Sequence, residues 1–220
     1  MDPLSDVLSL LKLQSYVSGG FDAAGDWAVQ FGPFDGIKFH AVLRGRCWLR
    51  VEGEPEPLEV IEGECFMLAR GKPFCIASDL AAEPVAFETL VPQVRDGRIA
   101  THNGGGEFLS IGGYFTLADG QADLLLNMLP TVLHLREEPG PSTLRWCIER
   151  MREELREAQP GGGIVAQQLA TLVLVQALRL QLAGGRNKAV GWLFALADKR
   201  IRAVINAMHE TPGAKWTYRR

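Results

Sequence analysis

Several things are scarce in this chain, and each scarcity narrows the choice of function. Only four cysteines occur, Cys47, Cys65, Cys75 and Cys147, and no two have the Cys-x-x-Cys spacing. That excludes the disulfide scaffolds of small secreted proteins and the paired-thiol zinc and thioredoxin-like motifs. Reduced thiols in a cytoplasmic protein are the expectation. An excess of basic charge is also missing: 23 Lys and Arg face 26 Asp and Glu, for a net charge of -3. Bulk charge therefore carries no nucleic-acid footprint. The opening residues, Met1-Asp2-Pro3-Leu4-Ser5-Asp6, are acidic and broken by polar positions, unlike a signal peptide. No apolar run reads as long enough to span a bilayer, so no membrane partner is expected. Internal repeats and low-complexity tracts are lacking as well.

What is present suffices for a full core. Hydrophobic residues make up 47% of 220, enough for one large domain or two small ones. The stretch from Ile37 to Phe74 sets the architecture. Short β-branched and aromatic runs, Ile37-Lys-Phe-His-Ala-Val-Leu43 and Cys47-Trp-Leu-Arg-Val51 among them, are punctuated by Gly and Pro every eight to twelve residues. Consecutive antiparallel strands of a sandwich or barrel read this way. Further strands are expected at 27–31, 85–94, 107–117 and 131–136. A helix is expected over residues 2–17, stopped by Gly19-Gly20.

The pattern changes near Gly120. Leu144, Ile148, Met151 and Leu155 form one apolar stripe, which predicts a helix from about 142 to 158. Its other face carries Arg145, Glu149, Arg150, Glu153, Glu154 and Glu157, a solvated face joined by i,i+4 pairs. Residues 164–182 are apolar almost all round. Such a helix must be covered on more than one side, either as the centre of a monomer or by a second copy. Leu169, Leu172, Val173, Gln176 and Leu180 are the expected contacts of a homodimer. A last helix is expected over 199–210, capped by Asp198 and broken at Pro212.

Chemistry is thin. Metal-binding double-sheet barrels carry two His on one strand, a Glu, and a third His beyond a Gly-x5-Pro-x-Gly stretch. Here His40 stands alone, Ala69 takes the Pro position and Phe74 takes that of the last His. One imidazole does not hold a divalent ion well, so no metal and no cofactor are expected. An organic ligand suits the remaining residues. Trp48, Phe39 and Phe74 supply apolar area, and His40, Arg50 and Lys38 supply polar contacts, although strand alternation turns only some of them inward. A merely packed interior is the competing reading. Cys65 and Cys75 flank the turn at 69–73. If their strands pair across it, a redox switch follows; if not, they are buried, inert thiols. Gly104-Gly-Gly-Glu107 lacks the Lys and Ser/Thr of a phosphate loop and reads as a turn.

Several stretches, taken in order, resemble a known family. They are Phe39-His-Ala-Val-Leu-Arg-Gly45, Cys47-Trp-Leu-Arg50, Met67-Leu-Ala-Arg-Gly71, Gly112-Gly-Tyr-Phe115 and Leu129-Pro-Thr-Val-Leu-His-Leu135. With the helical block to Leu182, they resemble the amino-terminal cupin domain of AraC-type transcriptional regulators. The resemblance implies a mainly β plus α fold: a cupin-like double-stranded β-helix, or jelly-roll barrel, over 1–120, then a helical dimerisation region over 121–185. Residues 186–220, with Asp198-Lys-Arg-Ile-Arg-Ala-Val-Ile and Trp216-Thr217, resemble a linker and the first helix of that family's DNA-binding domain. The helix-turn-helix units themselves are not in the sequence, so DNA contact is expected only through a C-terminal part beyond it. The implied function is effector sensing and dimerisation for transcription control, with small-molecule or redox input. One branch of the family responds to oxidants through cysteines. The rival is a metal-dependent cupin enzyme, an isomerase or dioxygenase.

Overall fold

The computed structural model describes residues 4, 14–91, 98–116, 126, 129–136, 143–157 and 159–184, with isolated positions between 200 and 213. In these residues the chain forms β1 (Gln14–Ala23), β2 (Ala28–Phe31), β3 (Ile37–Arg44), β4 (Arg46–Val51), β5 (Leu58–Ile61) and β6 (Cys65–Leu68). Then follow β7 (Phe74–Ala77), β8 (Val85–Ala86), β9 (Ile99–His102), β10 (Phe108–Thr116), β11 (Val132–Leu135), and helices α1 (Thr143–Glu157) and α2 (Gly162–Gly184). A 3₁₀ turn, Phe87–Thr89, follows β8.

The strands form two sheets, a six-stranded one in the order β11-β6-β3-β10-β1-β9 and a five-stranded one in the order β5-β4-β7-β2-β8. Most pairs are antiparallel, but β1 with β9 and β2 with β8 are parallel. Both sheets keep open edges among the described residues, so the expected barrel is a cupin-like sandwich rather than a closed cylinder. The chain passes from one sheet to the other between β3, in the larger, and β4, in the smaller. Gly45 makes the hop. Its φ is +77°, and a Cβ there would sit 2.4 Å from the Glu107 carbonyl oxygen. Only glycine fits such a corner without strain.

Strand alternation divides the larger sheet into two faces. On β3, Ile37, Phe39, Ala41 and Leu43 turn outward into a core shared with the helices. Lys38, His40 and Val42 turn toward the smaller sheet. On β10, Leu109, Ile111 and Phe115 join the helix-side core, and Ser110 and Tyr114 lie opposite. A second core, with Phe66, Leu68, Leu49, Val51 and Phe74, fills the space between the sheets. One sheet therefore separates the intersheet space from the helices.

The helices dock as their patterns predict. Leu144, Ile148 and Met151 on α1 are buried. Arg145 pairs with Glu149, and Arg150 with Glu153 and Glu154, along the polar side. Helix α2 buries Ala166, Ala170, Val173 and Leu174 in the same core. Ser15 of β1 donates a hydrogen bond of 2.7 Å to the Gln167 carbonyl and lies 3.1 Å from the Thr171 hydroxyl, which fastens the sheet to α2.

Four expectations need correction. Residues 14–17 begin a strand rather than end a helix, and Gly19-Gly20 lie inside β1, where the register shifts between Val17 and Gly19. Pairing with β10 on one side and β9 on the other outweighs the local helical spacing. The strand expected at 85–94 lasts two residues before the 3₁₀ turn. The stretch Gly162–Leu180 is long and apolar enough, by length and composition, to cross a membrane, contrary to the sequence reading. Here it packs on α1 and β1. Leu169 and Val173, expected at a dimer interface, are buried in this chain's own core, because the stripe they belong to faces the sheet. Leu172 and Gln176 are half-buried and Leu180 is exposed. The helix expected at 199–210 lies almost wholly outside the described residues.

Candidate functional site

Between the sheets lies a cavity of about 200 Å³. Its walls come from β1 (Gly19, Gly20, Phe21), β2 (Val29, Phe31), β3 (Lys38, His40), β7 (Ile76), β10 (Ser110, Gly112, Gly113, Tyr114) and the segment with Phe87 and Leu90. The lining is mainly apolar, with few polar groups, as in small-molecule sites.

Lys38 is the charged group of this lining. Its ammonium lies 5.0 Å from the Phe34 ring centre, 5.1 Å from Phe31, 5.5 Å from Phe74 and 5.7 Å from Phe87. Four aromatic faces surround one cation, each attracting it through its ring quadrupole. Among the described residues, no carboxylate stands within 4.0 Å of it. Burial pushes the Lys38 amine below its ordinary pKa, and the Glu88 carboxylate opposes that shift.

His40 sits two residues on, facing the same way. Its ring stacks on Phe66 at 5.1 Å and meets Phe31 and Phe74 edge-on at 5.3 and 5.7 Å. Gly112, its cross-strand partner, makes room: a Cβ there would lie 2.9 Å from the imidazole. His40 Nδ1 is buried and has no hydrogen-bond partner. Burial, aided by the Lys38 charge, lowers the imidazole pKa from 6.5 to about 3. The ring is therefore neutral at physiological pH.

That shift makes stability depend on pH. Between about 3 and 6.5 the unfolded chain binds a proton at His40 and the folded chain does not, so acid favours unfolding. The contribution is fully present above pH 6.5 and is lost as pH falls below it, at up to about 1.4 kcal/mol per unit. Urea titrations between pH 7 and pH 4.5 should show a falling midpoint. His40→Phe should flatten that dependence; an equally steep fall in this variant would remove His40 as its source.

The sequence candidates separate. His40 and Phe74 belong to the cavity region, as does Lys38. Phe39 points to the helices. Trp48 and Arg50 face away from the cavity: Cys47, Leu49 and Val51 hold the inner positions of β4, and Arg50 stands opposite Cys75 on the outer side of the smaller sheet. The hop at Gly45 puts β4 in the other sheet, which sequence spacing alone does not reveal.

The proposed thiol pair is likewise undone. Cys65 lies on β6 in the larger sheet and faces the helices; Cys75 lies on β7 in the smaller sheet with Ala28 and Ala77. Their strands do not pair. They sit on the outer faces of two packed sheets, whose spacing alone is about 10 Å, beyond disulfide reach. Burial raises both thiols, with Arg50 partly opposing it at Cys75.

Sequence reasoning missed Phe31, Phe34, Phe87 and Tyr114. The signal for Tyr114 was its place two residues from Gly112; Phe87 carried none, because it was expected inside a strand over 85–94 rather than in the turn that ends β8. Elsewhere, His134 Nε2 bonds Glu64 at 2.8 Å, and Arg136 donates to His134 Nδ1 at 3.2 Å. Among the described residues, no cluster of three or more His, Cys, Asp or Glu is placed to hold a metal ion.

Comparison with known proteins gives the lineage. A cupin family model matches residues 2–183. An AraC-like transcription regulator of Streptomyces antibioticus is 37% identical over 218 residues, covering 99% of this chain and 72% of that protein. One of Streptomyces lividans is 36% identical, covering 99% and 71%. The solved apo ToxT K231A of Vibrio cholerae is 9% identical with a TM-score of 0.44, covering 94% of this chain and 66% of that one. The cupin match over most of its length and the two Streptomyces relatives show that the chain belongs to the AraC-like transcription regulators and carries a cupin domain of that family.

Proposed function

We propose that the cavity between the sheets is where this domain receives its effector, a small and largely apolar molecule. The observation that carries this reading is the shared wall: β3 and β10 line the cavity with one face and pack on α1 and α2 with the other. An effector that binds one placement of this wall better than another shifts the helices by its differential affinity. The Ser15 bonds to α2 add a second tie, since β1 also lines the cavity. A volume of about 200 Å³ lies below the ~300–1,000 Å³ of drug-sized ligand sites, so the effector is compact.

In this reading the domain binds rather than catalyses, in line with its relatives' role as transcription regulators. The three-part division at 1–120, 121–185 and 186–220 is retained, although the cupin match spans the first two parts. A second copy of the chain covers the outer side of α2, where Ile164, Val165 and Leu180 are exposed beside Leu172 and Gln176. DNA contact is made by helix-turn-helix units outside these 220 residues, and the protein works in the cytoplasm.

Thermal unfolding in the presence of hexanoate, hexanamide, benzoate and benzamide tests the cavity. A probe at ten times its Kd should raise Tm by about 3–6 °C. Leu90→Trp, which puts an indole against the cavity, should abolish that rise while keeping a folded near-UV spectrum. If no probe raises Tm, or if Leu90→Trp leaves the rise intact, the effector reading of this cavity fails.

A further inference from the structure

We infer that the effector is a small monocarboxylate, its head between the Lys38 ammonium and the His40 imidazole and its apolar body against Phe21, Val29 and Ile76. The inference rests on the effector-cavity reading and adds the ligand's charge and its receptors.

Lys38 is a half-buried cation in an apolar lining; Glu88 acts on it from a distance, but no carboxylate lies within 4.0 Å of it among the described residues. Ring faces attract it, but they neither accept its N–H bonds strongly nor cancel its charge. Even a half-buried charge gains from a partner that is paired and hydrogen-bonded to it. The His40 imidazole lines the cavity on the same face of the same strand, and its buried Nδ1 leaves the ring without a hydrogen-bond partner there. The neutral imidazole can present an N–H to one carboxylate oxygen while the ammonium takes the other. One planar anion then bridges the ammonium and the imidazole edge that faces the cavity.

The same inventory selects against other anions. A phosphate dianion needs more donors than one ammonium and one imidazole supply. A bare inorganic anion leaves the apolar walls facing water. A neutral molecule of the same shape leaves Lys38 with no close anionic partner, Glu88 acting only from a distance. An apolar monoacid of limited size fits all three conditions, and the cage of Phe31, Phe34, Phe74 and Phe87 holds the ammonium in place before the acid arrives.

Calorimetric titration of the 220-residue chain with hexanoate against hexanamide, and benzoate against benzamide, tests this. Each pair matches shape and differs in charge. The wild type should prefer the acid by about tenfold or more. Lys38→Met keeps the length of the side chain and removes the charge; it should lose that preference by weakening the acid while leaving the amide within about threefold. Lys38→Arg should retain it. Acid and amide binding equally to wild type would overturn the charge inference and leave the effector cavity standing. An undiminished acid preference in folded Lys38→Met would overturn the role of Lys38. If neither member of either pair binds, the cavity reading falls, and this inference with it.

Discussion

Val173→Glu should remove a large part of the domain's stability. Val173 is 0% exposed, on the side of α2 that faces the larger sheet. A carboxylate there has no described basic partner and must either stay ionised in an apolar core or take up a proton. The cost is about 4 kcal/mol or more. A domain of this size has only about 5–15 kcal/mol to lose. Leu180→Glu, on the same helix at 44% exposure, provides the contrast: its effect on monomer stability should stay near about 0.5 kcal/mol. Urea unfolding of the two variants side by side reads the difference. Equal, small losses in both would mean that Val173 does not face the core and that the docking of α2 described above is wrong.

Gly45→Ala is the second large expected effect. Alanine at φ +77° costs about 1–2 kcal/mol in backbone energy. The added methyl would also lie 2.4 Å from the Glu107 carbonyl oxygen, and that contact is with backbone, so it cannot be relieved by rotating a side chain. The chain must move where it passes from one sheet to the other. The expected total is about 3 kcal/mol or more, read as a lower urea midpoint at unchanged slope. Gly104→Ala serves as the reference. Its φ is +81°, but its Cβ would meet nothing within 4 Å, so it should pay the backbone cost alone. Equal losses at the two positions would show that the close approach at Gly45 has no energetic weight.

The reading from sequence succeeded where a period is local and failed where partners are distant. The stripe Leu144, Ile148, Met151 placed α1 within a residue or two of its observed ends. The β-branched and aromatic run Ile37 to Leu43 identified β3 as a strand. Adjacent positions of a strand cannot share a site, however, so Phe39 and His40 were never both cavity residues. Which of them faces inward depends on where the helices dock, and no local signal records that. Trp48, Arg50 and the thiol pair failed for one reason: assigning β3 and β4, or β6 and β7, to one sheet or two is a matter of topology. The membrane-length run at Gly162–Leu180 shows the converse, since composition alone does not separate a buried helix from a spanning one. Lys38 was legible as a polar contact two residues before His40. Its four rings come from three separate segments and were legible only in the fold.

The wall that β3 and β10 make between cavity and helices is one strand layer thick, and this constrains how the domain can diverge. Inserting or deleting a single residue within either strand would exchange its two faces, sending Lys38 or Tyr114 toward the helices and Phe39 or Phe115 into the cavity. A length change is tolerated only where a bulge absorbs it, as at the register shift between Leu109 and Ser110, so new ligand preferences arise most simply by replacement at alternate positions, 38 and 40 on one strand and 110, 112 and 114 on the other. Descendants with different chemical tastes should keep the spacing of these strands and differ in those few letters.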